Sequence, residues 1–341
     1  MKKENRYSEL AKPIDITEQN WPYDILPVVS VFNWVYNHKE FIRESIESIL
    51  MQKTTFPVEI IIHDDASSDG TKEIILEYQN KHPHLFRNIL HEKNQWSQGN
   101  SVMTPLFVKP KGKYIALTHG DDYWTDPLKL QKQVDFLEKN QQNILCFHSV
   151  LEQFTNGKIN SSPIKIPEGY SSPITMAKKG NYIYTNSVVF RNIQIDSTHE
   201  MLTCPLGDYF LWNYLGQYGE YGYIDKEMAV YRNGTGIFSS LTIFEQTKKS
   251  FITFLLLSKY FKNKNPELSR IFENRVSING LENQLTIEDV KVLSNTNIIF
   301  TYKLYNFMQE RGINLVDSMP FSIIVKSLIY RLIRKMRNVF R

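Results

Sequence analysis

Residues 112–130, GKYIALTHGDDYWTDPLKL, constrain the fold more than any other segment. An apolar run from Tyr114 to Leu117 stops at two adjacent carboxylates, Asp121 and Asp122. Thr125 or Asp126 can then cap a helix whose first position suits Pro127. A buried strand that ends in acids and turns at once into a helix is a building unit of an α/β sheet. Like charges side by side need a cation or hydrogen-bond donors to offset their repulsion. The pair is therefore a candidate divalent-metal site beside a phosphate, because hard carboxylate oxygens suit Mg2+ or Mn2+. A capped turn with two solvated acids is the alternative; the position at a strand end argues against it.

The same alternation runs through the first half of the chain. Residues 28–32 (VVSVF) and 58–62 (VEIII) read as buried strands. Asn37 and Glu40 make a capping-box pattern before a helix with Ile42, Ile46, Ile49 and Leu50 on one face. A second helix is expected from Thr71 to about Asn80, a short strand at 88–91, and strands at 114–118 and 144–151. The helix after the acidic pair should run from Pro127 to Lys139. Strands alternating with helices imply right-handed crossovers and a mostly parallel sheet, with ligands beyond the carboxyl ends of the strands. Asp64-Asp65 and Asp121-Asp122 both fall at such ends, so the topology predicts one shared crevice.

Later segments are less regular. Pro163, Pro167, Gly169 and Pro173 suggest a long irregular stretch, followed by a strand over 182–190. A helix within 205–219 and a hairpin or paired strands over 220–231 come next, and the pattern is helical from Leu241 onward.

Asp64 and Asp65 offer acceptors for a nucleobase N–H or for ribose hydroxyls; an Asx turn is the equal alternative, and Asp69 reads as a helix cap. Asp208 reads locally as an N-cap of the helix that follows it. Arg232 suits either a phosphate contact or simple surface cover.

Taken together, VVSVFNWVYNHKEFIRESIESILMQ, VEIIIHDDASSDGT and GKYIALTHGDDYWTDPLKLQKQ resemble, in order, the motifs of the family 2 glycosyltransferases. PLGDYFLW, residues 205–212, is similar to the family segment that carries the catalytic base. The resemblance implies a GT-A fold: a mostly parallel mixed sheet flanked by helices, with a Rossmann-like nucleotide-binding half. It implies Tyr36 and Asp65 near the nucleobase, Asp121 facing the sugar or ribose, Asp122 on the metal and Asp208 as general base. Arg232 lies in YRNGTG, residues 231–236, which resembles a loop that closes over the diphosphate. The implied reaction is inverting transfer from a nucleotide-diphosphate sugar, with a UDP-sugar foremost, to a glycan or lipid-linked acceptor in bacterial surface-polysaccharide assembly. Trp34 replaces a small hydroxyl residue usual in the family, and His63 and His119 also depart from its pattern. A sugar-1-phosphate nucleotidyltransferase is the rival enzyme, but VFNWVYN has neither the Gly nor the Arg of a phosphate loop. A non-catalytic nucleotide-sugar or glycan binder is the other.

The organisation expected is a 1–26 extension, a glycosyltransferase domain over 27–240 (27–125 for the nucleotide sugar, 126–240 for the acceptor), and a helical region over 241–341. Within 320–341, Ile324, Leu328, Leu332, Met336 and Phe340 fall near helical spacing. The last sixteen residues hold six basic and no acidic side chains, leaving 34 basic against 36 acidic in the remainder of a chain whose net charge is +4. Basicity confined to the tail argues against a nucleic-acid surface. It suits an amphipathic helix on an anionic membrane, or else a helix packed on the protein with its charged face in water. Two cysteines without metal or disulfide spacing, and a polar N-terminus without an apolar signal core, suggest a cytoplasmic setting at the inner face of the membrane.

Overall fold

A computed structural model describes residues 10–22, 24–98, 101, 103–236 and 241–275. In chain order the strands and helices are β1 (Ile14–Asp15), β2 (Val29–Val35), α1 (Ile42–Leu50), β3 (Lys53–Thr54), β4 (Val58–Asp64), α2 (Thr71–Lys81) and β5 (Ile89–Leu90). There follow α3 (Thr104–Val108), β6 (Tyr114–His119), β7 (Tyr123–Trp124), α4 (Lys129–Lys139), β8 (Asn143–Gln153), β9 (Ile159–Ser161), α5 (Pro173–Lys179) and β10 (Val189–Arg191). The last are α6 (His199–Leu202), α7 (Gly207–Leu215), β11 (Glu220–Arg232), α8 (Ile243–Phe261) and α9 (Pro266–Arg275). The chain divides into two units, residues 1–202 with 207–240, and residues 203–206 with 241–341.

A nine-stranded mixed sheet forms the first unit, in the order β5-β4-β2-β6-β10-β8-β11-β7, with β9 paired to β8. The group β5-β4-β2-β6 is wholly parallel. All seven residues of β4 and six of seven in β2 are buried, as expected for parallel strands covered on both faces. Beyond β6, antiparallel β10 joins this group to β8, which pairs in parallel with β11. α1 lays Ile42, Ile46 and Ile49 on the sheet, all fully buried, each contributing about 1.5–3 kcal/mol by transfer from water.

Buried polar groups tie the strands at their amino ends. Ser30 Oγ donates to Glu59 Oε1 at 2.5 Å and accepts from the Gly112 amide at 2.8 Å. Glu59 also meets Arg87 at 2.8 Å. Gly112 is required by this close approach: a Cβ there would lie 2.5 Å from the Ser30 amide nitrogen.

Several expectations are corrected. Asn37 does not form a capping box with Glu40. Its Oδ1 accepts from the Ser68 amide at 2.9 Å, and α1 starts without a side-chain cap. The strand expected over 182–190 is reduced to Val189–Arg191 by a 3-10 turn over Thr185–Ser187. Ser187 closes that turn by donating through both its amide (3.0 Å) and its hydroxyl (2.7 Å) to the Tyr184 carbonyl. Residues 220–231 form one long strand, not a hairpin: β11 pairs in parallel with β8 from Glu220 to Arg232, with register shifts along the way, and with β7 at Ala229 and Val230. The helix after the acidic pair starts at Lys129, where Asp126 Oδ1 accepts from the Leu128 amide at 2.8 Å.

In the second unit α8 begins with a full capping box between Thr242 and Glu245. α8 and α9 pack through Phe254, Phe261 and Phe272. No helix among the described residues is long and apolar enough to cross a membrane. The 320–341 segment lies outside the described residues.

Overpacking at the 112 position should cost about 1–3 kcal/mol. Gly112→Ala should therefore show a lower urea midpoint than wild type, and an unchanged midpoint would show that the Ser30 contact yields freely.

Candidate active site

The carboxyl ends of β4, β2 and β6 lie side by side, with Val35 opposite Asp64 and Trp34 opposite both His63 and His119. At a strand spacing of about 4.8 Å, the loops after β4 and β6 stand about 10 Å apart, with Tyr36 between them. Both acidic pairs thus emerge at one edge, where open α/β sheets bind ligands.

Each acid in the first pair is held differently. Asp64 accepts from the Ser67 hydroxyl and, at 3.2 Å, from the Ser67 amide, which is the Asx turn foreseen as one alternative. Asp65 is buried, and its carboxylate accepts from the amides of Gln95 (2.6 Å) and Trp96 (3.2 Å). Asn94 Nδ2 donates to its carbonyl at 3.0 Å. Asp65 therefore anchors the 94–98 turn over the end of β4. That turn presents Trp96, 53% exposed, at the edge where Tyr36 is 43% exposed. Asp69 accepts from the Thr71 amide (3.0 Å) and hydroxyl (2.6 Å), an Asx turn just ahead of α2; it is not the helix cap expected, because the N-cap position is Gly70, which has no side-chain cap.

Two of the departing residues fill the floor. His63 Nε2 meets His91 Nε2 at 3.0 Å; burial, then the neighbouring His91, pull its value down to about 4, so the ring is neutral near pH 7. Trp34 lies 5.5 Å from the His119 ring. His38, which local sequence did not single out, sits against Gly120 with its Nδ1 buried and without a protein partner.

The second pair is enclosed. Asp121 and Asp122 are 4% and 1% exposed. Burial, then the adjacent Asp121 carboxylate, push Asp122 well above the ordinary carboxylate range. Asp122 Oδ1 accepts from the Arg232 amide at 2.9 Å, and Asp121 Oδ2 from the Thr235 hydroxyl at 2.9 Å. The Arg232 guanidinium donates to the Asp121 carbonyl at 2.5 Å and pairs with Glu44. It also sits 4.8 Å from the centre of the Phe41 ring and 4.7 Å from that of Tyr123. Arg232 therefore fastens the 231–236 loop across the acidic pair and onto the start of α1. Glu44, Phe41, Tyr123 and Thr235 carry no local sequence signal for this, because the link spans 188 residues.

The donor set fits a hard divalent cation. Among the described residues no three His, Cys, Asp or Glu side chains form a metal cluster. One or two carboxylates, completed by substrate phosphates and water, is the usual mode for Mg2+, and the raised proton affinity of Asp122 marks a place where positive charge is favoured.

Asp208 stands in the first turn of α7, inside the helix and not ahead of it as an N-cap. Its Oδ1 takes the Tyr209 amide at 2.7 Å, and its Oδ2 takes Thr185 Oγ1 at 3.2 Å and Asn181 Nδ2 at 3.4 Å. The next residue of that 3-10 turn, Asn186, accepts from Trp124 Nε1 at 3.0 Å and donates to the Val230 carbonyl at 3.0 Å. Trp124 is two residues from Asp122, and Val230 two from Arg232. One turn therefore links Asp208 to the strands that hold the acidic pair.

The family model for glycosyl transferase family 2 matches residues 30–200, half of the chain. This chain belongs to glycosyl transferase family 2. The Mycobacterium tuberculosis protein Rv1520 is 38% identical to this family 2 chain over 206 residues, 60% of the chain and 58% of its own length. The Escherichia coli enzyme WfaP, a UDP-Glc:alpha-D-GlcNAc-diphosphoundecaprenol beta-1,3-glucosyltransferase, is 32% identical over 146 residues, 42% of this chain and 55% of its own. The alignments thus span under two thirds of these relatives. The Staphylococcus aureus protein TarS, residues 1–349, superposes with a TM-score of 0.52 at 17% identity, covering 89% of this chain and 91% of its own. That likeness shows the fold, which is the GT-A arrangement.

Because folding raises the proton affinity of Asp122, its ionisation opposes folding. The opposition is absent below the unfolded carboxylate value of about 3.9 and grows as pH rises above it. With a chelator present, Asp122→Asn should melt above wild type near pH 7, the gap closing toward about pH 4. Equal melting temperatures across that range would show that the acid pair carries no electrostatic strain.

Proposed function

We propose that this family 2 glycosyltransferase is inverting and moves a sugar from a nucleotide-diphosphate donor to a hydroxyl of a glycan or lipid-linked acceptor. The observation that carries the reading is the enclosure of Asp121 and Asp122 under the Arg232 loop, at the strand ends, with Asp208 tied to the same strands through Thr185 and Asn186. A UDP-sugar is the favoured donor, and assembly of bacterial surface polysaccharide the favoured setting; the name of WfaP supports both.

In this reading Asp208 accepts the proton of the acceptor hydroxyl. The freed oxygen bonds to the anomeric carbon while the bond to the diphosphate breaks on the opposite face, and the electron pair leaves with the diphosphate. Thr185 and Asn181 orient the Asp208 carboxylate. Asp122, with Asp121 beside it, would hold Mg2+ or Mn2+, which when bound neutralises charge on a diphosphate. Asp65 serves the nucleotide end by fixing the 94–98 turn beside Tyr36. Arg232 supports the loop through Glu44 and two rings, so its part toward phosphate is one of placement.

A positioned general base is worth about 10²–10⁴-fold. Asp208→Asn should keep donor affinity, read by calorimetry with UDP-sugars and Mn2+, and lose turnover by about that factor. Near-normal turnover would remove Asp208 from the chemistry.

We further propose that the 320–341 tail, six of whose side chains are basic, holds the protein on the cytoplasmic face of an anionic membrane. Deleting residues 320–341 should release the protein from phosphatidylglycerol vesicles in a flotation assay. Undiminished flotation of the shortened chain would place the attachment elsewhere.

A further inference from the structure

Glu152, in β8, is 5% exposed. Among the described residues its carboxylate meets neutral donors only. Oε1 accepts from the Tyr184 hydroxyl and, at 3.5 Å, from Ser162 Oγ; Oε2 accepts from Asn233 Nδ2 at 3.2 Å. Taking a carboxylate out of water without a cation beside it is unfavourable. An apolar side chain would fill the same space at lower cost. What sets the carboxylate apart is what it connects.

Its two oxygens reach different parts of the site. Tyr184, on Oε1, leads directly into the 3-10 turn whose Thr185 donates to Asp208 and whose Asn186 carbonyl accepts from Trp124. Burial, then the bond to Glu152, raise the Tyr184 phenol above its usual value, so its proton stays in place to be donated. Ser162 Oγ, 2.9 Å from the Tyr184 oxygen, completes that end. Asn233, on Oε2, follows Arg232 in the loop over the acidic pair, and its amide donates to the Gln153 carbonyl at 2.8 Å. The ladder sets Tyr231 opposite Glu152, and the Tyr231 ring lies 5.2 Å from that of Tyr184. One carboxylate therefore joins the segment that carries Thr185 to the loop whose Arg232 amide and Thr235 hydroxyl hold Asp122 and Asp121.

We propose that Glu152 is a positioning residue: by bridging Tyr184 and Asn233 it fixes Asp208, the general base, relative to the loop over Asp121 and Asp122. The role rests on the glycosyl-transfer reading. Such a bridge sets how the proton acceptor lines up with the bond that breaks. Its loss falls on turnover and leaves donor binding almost unchanged. A misplacement of about 1 Å at a reacting centre costs up to about 100-fold in rate.

The test follows nucleotide release by the full chain from a panel of nucleotide sugars with Mn2+. Tyr184→Phe and Asn233→Ala each remove one end of the bridge. Each should lower kcat about ten-fold, with the donor KM within about two-fold of wild type. Both act through one carboxylate, so the double variant should also lie about ten-fold below wild type, where independent effects would multiply to about 100-fold. Glu152→Met, of similar volume but without an acceptor, should show the same loss. Glu152→Gln should recover most of it, because its Oε1 can accept from Asn233 while its Nε2 donates to the Tyr184 oxygen. A residue that only stabilised the fold would instead lower the melting temperature and raise the donor KM, with no split between KM and kcat. That pattern, multiplying losses in the double variant, or wild-type kcat in both single variants would overturn the proposal and leave the transferase reading intact. A wild-type chain that releases nucleotide from no nucleotide sugar would refute that reading, and this role with it.

Discussion

The site depends on how one buried cation is satisfied. Arg232 is 8% exposed, and a guanidinium taken from water needs partners in fixed directions. It finds a carbonyl at Asp121, a carboxylate at Glu44 and the faces of Phe41 and Tyr123. The partners come from two distant parts of the chain: Phe41 and Glu44 from the start of α1, and Asp121 and Tyr123 from the stretch between β6 and β7. Satisfying the cation therefore closes the strand-end crevice on one side. It also brings positive charge to Asp122, whose burial beside Asp121 is otherwise unfavourable. The arginine lowers the cost of burying the acid pair, so removing Arg232 would leave the pair buried with poor compensation.

Asp65 and Asp208 are held in contrasting ways. Asp65 satisfies both of its oxygens with backbone amides and so turns a charge into a loop anchor. What the anchored turn presents to solvent is foremost the exposed indole of Trp96. Asp208 keeps side-chain donors from Thr185 and Asn181 at the longer distances of 3.2 and 3.4 Å, with one short backbone contact. A carboxylate held that way is oriented without being fully consumed, as a proton acceptor requires.

The regular half of the molecule was legible because its signal is local. Strands buried on both faces read as uninterrupted apolar runs, and α1 repeats isoleucine at helical spacing, so β2, β4, β6 and α1 follow from residues a few positions apart. The acidic pairs at the strand ends followed from topology. The 3-10 turn at Thr185–Ser187 was hidden because its apolar neighbours, Ile183 and Val188, fit a strand equally well, and a serine hydroxyl decides the matter. Residues 220–231 fitted a hairpin or paired strands equally; the structure makes them one strand, with Asp225 and Lys226 at an irregularity in the ladder with β8. Glu44 was invisible as a partner of Arg232, since a glutamate on the polar face of an amphipathic helix looks the same whether solvated or paired. Asn37 misled for a related reason: its short amide serves a turn thirty-one residues away.

β10 is only three residues long, yet it is hydrogen-bonded on both flanks, to β6 and to β8. The strands that hold the acid pair and the β8–β11 pair thus belong to one continuous ladder. Hinge-like separation of the two would require breaking main-chain bonds in the middle of the sheet, where no solvent waits to replace them. Change in a scaffold of this kind is channelled into the connecting loops, such as the 94–98 turn and the 154–184 stretch, while the frame beneath keeps its pitch.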